Sequence, residues 1–159
     1  MKSKGIQQLT MGAVIAALYV VLCVAFEPLS YGSVQVRIAE ALTVLPMFTP
    51  AAIPGITIGC AIANVIGGGI MLDIVFGSLA TLIGGIGTYL LRKKSVWIAQ
   101  LAPVAANTLI VPFVLRYGYG IILPIPLLML AIAVGEVIGC MLLGAALSKG
   151  LKKAGVLKL

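Results

Sequence analysis

The chain has 159 residues, of which 62% are hydrophobic and 9% charged. So few charged side chains cannot coat a water-exposed surface, which excludes an ordinary soluble domain and points to an all-α integral membrane bundle. The net charge of +7 reads as membrane topology and not as a nucleic-acid surface, because the cations gather between and beyond the apolar runs.

The first span is expected at about residues 6–26. It is too long for the apolar core of a signal peptide, and no small-residue cleavage site follows before Glu27. The segment EPLSYGSVQ then reads as a turn-rich outer loop. A short second run, about 36–48, ends at Pro46 and Pro50. The third, about 52–66, has Pro54 in its first turn. A GGG connection leads to the fourth, about 72–91, which RKK ends. The fifth, about 96–115, ends at RYGYG, and the sixth, about 121–147, ends in a lysine-rich tail. Residues 1–159 are read as a single transmembrane domain.

Six spans place both termini and the loop between spans four and five on one side. The cations sit in those three places: Lys2 and Lys4; Arg92, Lys93 and Lys94; Lys149, Lys152, Lys153 and Lys158. That side is therefore cytoplasmic, and the chain a multi-pass cell-membrane protein. Spans two and three are shorter than a crossing usually requires, so they are expected to tilt or to sink beside longer neighbours. A four-span count, with residues 34–66 as a re-entrant hairpin, satisfies the same charge bias.

Polar residues concentrate toward the outer side. Arg37 and Glu40 open span two, Asn64 lies near the outer end of span three, and Asp73 opens span four. Asn107 and Glu136 lie near the middle of spans five and six. A charge at mid-membrane costs at least about 2.5–3.5 kcal/mol, so it faces a cavity or a partner. The inner half reads as nearly pure hydrocarbon and small residues. The pattern is that of a pocket open to the outside above a sealed floor. Structural roles compete at each position. Arg37 and Glu40 are three apart and can pair with each other. Asp73 can cap the fourth helix. Asn107 can bridge helices, and Glu136 can take Arg37 as a partner.

Small residues mark packing faces. Gly77, Ala80, Thr81, Gly84 and Thr88 lie along one side of span four, and Gly135 and Gly139 form a small-xxx-small pair in span six. Gly12, Ala13, Ala16 and Ala17 make a similar patch toward the cytoplasmic end of span one, suited either to the bundle or to another membrane protein. Cys23, Cys60 and Cys140 read as buried thiols. Histidine is absent. With no metal-ligand cluster, no nucleophile with a base and no phosphate-binding loop, neither an enzyme nor a cofactor is implied.

The segment VQVRIAEALTVLPMFTPAAIPGITIGCAIAN, followed by LDIVFGSLATLIGGIGTYLLR, resembles the QueT family. These are substrate-binding S components of energy-coupling factor (ECF) transporters, specific for queuosine precursors. The patterns R-x-x-E-A-L-x-x-L-P at 37–46 and D-x-x-F-G-S-L-A-T-L at 73–82 carry the resemblance. It implies a six-helix S-component fold with an outward pocket, and as partners a transmembrane coupling subunit and two ATPases. The implied ligand is preQ1, a deazaguanine bearing an aminomethyl group, or a queuine-like deazapurine, between which the sequence does not decide. One carboxylate can accept the paired donors of its guanine-like edge, a second can meet its ammonium, and amides such as Asn107 can serve the carbonyl. Tyr31, Tyr117 and Tyr119 are placed to stack on the base or cover it. The Ala13-xxx-Ala17 pair is similar to the motif by which S components dock.

Other readings of the same residues are an S component for a different purine-like or vitamin substrate, and a small proton-coupled carrier using Glu136 and Asp73 as relay carboxylates. A structural subunit whose acids pair internally is a further one.

Overall fold

The computed structural model describes residues 2–27 and 36–155, and among them every regular element is helical. Tyr31, Lys158 and most of the connection between the first two spans lie outside the described residues. Six helical elements follow in chain order. α1 is Lys2–Ala25. α2 is a 3₁₀ helix, Ile38–Met47. α3 is Ala52–Ile66 and α4 is Met71–Leu90. α5 spans Val96–Gly118, its last turn, Val114–Gly118, wound as a π-helix after Pro112. α6 spans Ile125–Lys153, with π winding over Val137–Leu143.

The boundaries fall close to those expected, except at the start of α1, which lies at Lys2, and at α6. Its start moves from 121 to Ile125, with Pro124 as the N-cap and Pro126 in the first turn, where a missing N–H costs nothing. Its end runs on to Lys153, because lysines leave the membrane without breaking the helix.

α1, α4, α5 and α6 are long and apolar enough to cross a bilayer by length and composition. Their outer faces expose large hydrophobic side chains such as Leu9, Val21, Leu101 and Leu130. α2 and α3 are shorter, 10 and 15 residues.

α2 is the hub of the bundle. It packs against each of the other five helices, and every residue from Ala39 to Met47 is buried. That burial explains why the segment is apolar around most of its circumference, with Glu40 and Thr43 as its polar side chains. At about 2.0 Å rise per residue, 3₁₀ winding stretches ten residues to about 20 Å. The outer helices pair as α1 on α3, α3 on α4, α4 on α5 and α5 on α6. The main apolar cluster joins Ile15, Tyr19 and Cys23 of α1 to Leu42 and Leu45 of α2 and to Ile56 and Cys60 of α3.

Small residues set the approach distances. A Cβ built on Gly84 would lie 2.6 Å from Pro103 Cα, and one on Gly59 would lie 2.9 Å from the Ala16 carbonyl. Gly77, Ala80, Thr81, Gly84 and Thr88 are all on the buried side of α4, as their spacing predicts. At Gly139 the added Cβ would lie 2.9 Å from the Arg37 carbonyl and 3.2 Å from Glu40 Cβ. That contact brings α6 against the start of α2, where the acidic residues are.

Candidate functional site

Each of the six helices sends a polar side chain into one buried region. α2 supplies Arg37, at its N-cap, and Glu40, in its first turn. α3 contributes Asn64, α4 Asp73, α5 Asn107 and α6 Glu136, and all six of these side chains are buried. α1 adds Tyr19, which is fully buried.

The deeper part is built around two carboxylates. Glu40 Oε1 accepts a hydrogen bond from the Tyr19 hydroxyl at 2.5 Å. The Cys140 thiol lies 3.0 Å from Glu136 Oε2 and 3.8 Å from Glu40 Oε2. Glu40, Glu136 and Cys140 thereby bring one donor atom each within 4.8 Å of one another. Asn107 lies within interaction range of Glu136. Three donors fall short of the four of a closed zinc site. For a ligand rich in N–H groups, two adjacent carboxylates need only their lone pairs.

The outer part is centred on Asp73. Arg37 Nη2 lies 3.9 Å from Asp73 Oδ2, and the Tyr119 hydroxyl donates to the same oxygen at 2.9 Å. Burial, and then the Asp73 carboxylate, raise the Tyr119 phenol above its ordinary value, so it remains a proton donor. Asn64 Nδ2 donates to the Asp73 carbonyl at 3.2 Å. Its Oδ1 is buried without a hydrogen-bond partner among the described residues, an acceptor whose desolvation nothing there offsets. Gly77 leaves the room: a Cβ there would meet Asp73 Oδ1 at 3.0 Å and Asn64 Nδ2 at 3.1 Å.

The two parts form one electrostatic unit through Arg37, which acts on both Glu40 and Glu136. It holds three carboxylates and one guanidinium. In a chain of net charge +7, the buried region is thus the acidic part.

Of the substrate residues expected from sequence, Arg37, Glu40, Asn64, Asp73, Asn107 and Glu136 meet here, with the Tyr119 hydroxyl beside them. Tyr117 does not: it is 73% exposed and stacks on Phe113 at 6.5 Å on the outer face of α5. Tyr119, beyond the π-turn and 41% exposed, is the tyrosine whose hydroxyl reaches Asp73. Asp73 is not a cap. Ile70 holds that position and Asp73 is three residues inside the first turn, where the helix dipole favours a carboxylate and its side chain faces Arg37 and Tyr119.

The patch on α1 divides. Gly12 and Ala16 turn toward α3, at Gly55 and Gly59. Ala13 and Ala17 are exposed and line an apolar groove of about 600 Å³ between α1 and α3. The inner half is also less uniform than expected. Thr43 Oγ1 and Gln100 Oε1 lie 2.8 Å apart, and Gln100 Nε2 donates to the Thr43 carbonyl at 3.2 Å. Tyr19 and Gln100 escape sequence reasoning because each is a single polar group in an apolar run. The thiols Cys60 and Cys140 are buried as expected. What their spacing did not signal is that both touch the polar cluster, Cys60 at 3.9 Å from Arg37 Nη1.

A sequence model of a transporter family, the QueT transporter, matches residues 9–153. The Queuosine precursor transporter QueT of Lactococcus lactis subsp. cremoris (strain MG1363) is 37% identical over 73 residues, 45% of this chain and 43% of the relative. The chain thus spans less than half the length of that curated relative. No solved structure matches.

Proposed function

The chain belongs to the QueT transporter family, and on that premise we propose that it is the membrane-embedded substrate-binding subunit, the S component, of an ECF importer, with the queuosine precursor preQ1 as its ligand. The carrying observation is the buried carboxylate pair Glu40 and Glu136, joined through Cys140. PreQ1 offers the adjacent N–H donors of a guanine-like edge and a separate ammonium. Two carboxylates side by side, with the Asn107 amide next to Glu136, match that set. The internal partners of the pair are a phenol and a thiol, neutral groups that a cationic, donor-rich ligand replaces with stronger, charge-assisted bonds. Arg37 lies against Asp73, and the Glu40 and Glu136 carboxyl groups deeper in are left to the ligand. Glu136 takes the guanine-like edge and Glu40 the ammonium. Tyr119 covers the site beside Asp73.

In this reading the chain is a single membrane domain with both termini cytoplasmic. α2 and α3 complete six crossings as short central helices shielded by the four long ones. The protein hydrolyses nothing itself. Two ATPases act through a coupling subunit that meets α1 at Ala13 and Ala17, and no resident cofactor is involved.

Thermal unfolding of the purified protein in detergent tests the reading. PreQ1 should raise the melting temperature more than guanine or a deazaguanine without the amine does. Stabilisation by an unrelated vitamin and none by preQ1 would overturn it.

A further inference from the structure

We propose that the basic turn between α4 and α5 is a binding pocket for the headgroup of an anionic phospholipid. A cavity of about 570 Å³ lies there, with Phe48 and Pro50 on one wall and Tyr89, Arg92, Lys93 and Lys94 on the other. The turn joins two helices long and apolar enough to cross a bilayer, so it lies where hydrocarbon gives way to water. Trp97, 48% exposed on the first turn of α5, stands where indole rings anchor a helix at that boundary.

The charge there has no internal counterpart. The chain has four acidic residues. Glu40, Asp73 and Glu136 are buried in the substrate region, and Glu27 follows the opposite end of α1. Among the described residues no acidic side chain pairs with Arg92, Lys93 or Lys94. Arg92 is nevertheless held in place. Its guanidinium lies 3.9 Å over the Tyr89 ring, and Nη1 donates to the Tyr89 carbonyl at 2.8 Å. That uses one of its five donors. A pre-positioned guanidinium flanked by two ammonium groups suits a phosphate. The Phe48 and Pro50 wall suits the glycerol and upper acyl chain attached to it, and a free phosphate has no use for that wall. The same basic turn that orients the chain in the membrane would in this way hold a particular lipid.

The proposal shares with the transport reading only that α4 and α5 cross the bilayer. Native mass spectrometry of the detergent-purified full chain, titrated with phosphatidylglycerol or phosphatidylcholine, tests it. The wild type should retain one phosphatidylglycerol in preference to phosphatidylcholine. Lys93→Gln with Lys94→Gln, both exposed and outside the Arg92–Tyr89 contact, should cut that retention about tenfold. Lys149→Gln with Lys152→Gln removes the same charge from the end of α6 and should leave retention within about twofold. PreQ1 stabilisation of the Lys93/Lys94 variant should be unchanged, which separates this site from the substrate site. Equal losses in both double variants, equal retention of the two lipids, or displacement by inorganic phosphate would each overturn the proposal.

Discussion

The Tyr19 hydroxyl on α1 donates to Glu40 Oε1 on α2 at 2.5 Å, with both side chains buried. A phenol in an apolar stretch of α1 thus holds one of the two central carboxylates in place. Tyr19→Phe keeps the ring and removes the donor. Leaving a buried acceptor short of its partner costs about 1–3 kcal/mol. The ligand-free variant should therefore unfold at lower temperature in detergent, and preQ1, which supplies donors of its own, should recover part of the loss. An unchanged melting temperature would show that the hydroxyl contributes nothing to holding Glu40.

Glu136 offers the sharpest test of the ligand reading. Truncating one partner of a buried, charged hydrogen bond costs about 2–5 kcal/mol, so Glu136→Gln should weaken preQ1 binding roughly 30-fold or more. Isothermal titration with the folded variant measures it. Wild-type affinity in Glu136→Gln would remove Glu136 from the site.

Asp73 plays a different part because Arg37 and Tyr119 already occupy its carboxylate. On the proposed reading its effect on the site runs through Arg37, which lies 3.9 Å from its Oδ2. Asp73→Asn should thus weaken preQ1 and an analogue lacking the amine by the same factor. Glu40→Gln should weaken preQ1 more than the analogue. If the Asp73 variant loses affinity for preQ1 alone, the ammonium sits at Asp73.

Gly139 lies where α6 meets α2, with space for no Cβ beside the Arg37 carbonyl. Overpacking at such a contact costs about 1–3 kcal/mol. Gly139→Val should separate Glu136 and Cys140 from Glu40, lowering both melting temperature and preQ1 affinity. Gly150→Val, whose added Cβ meets nothing within 4 Å, serves as the matched control and should leave affinity unchanged.

How much of this was legible in the sequence varies with the physics. The long spans announce themselves because a bilayer demands continuous apolar length, and four of the six elements lie near their expected ends. The buried acids were legible because a charge in an apolar run has few reasons to be there. α2 was the hardest element. A short apolar run reads the same whether it lies against lipid or at the centre of a bundle, and only the packing makes Ile38–Met47 the hub. Tyr117 and Tyr119 were indistinguishable as letters. Two residues apart and both exposed, they differ in partner: Tyr117 stacks on Phe113, while the Tyr119 hydroxyl, past the π winding that ends at Gly118, reaches Asp73. Ile70 and Asp73 show the limit at helix ends: aspartate is the better cap by preference, yet its partner Arg37 lies inside the bundle and draws it past that position.

The last test concerns α1, whose small residues lie against α3 and along the groove beside it. Gly12 and Ala16 face α3, where Gly55 and Gly59 leave space for no larger group. Ala13 and Ala17 face outward into the groove between α1 and α3. Close approach of another membrane helix requires small side chains, and a bulky one there creates overlap. Ala13→Trp and Ala17→Trp should therefore abolish assembly with the coupling subunit and uptake into cells. They should change preQ1 affinity of the isolated protein by less than about threefold, under about 1 kcal/mol. Ala16→Trp should do the reverse of a docking lesion, lowering the melting temperature of the isolated protein by forcing α1 from α3. Tryptophan variants at Ala13 and Ala17 that still co-purify the ATPases at normal yield would refute the docking role. A melting temperature as low as that of Ala16→Trp would assign the outward pair to the bundle as well.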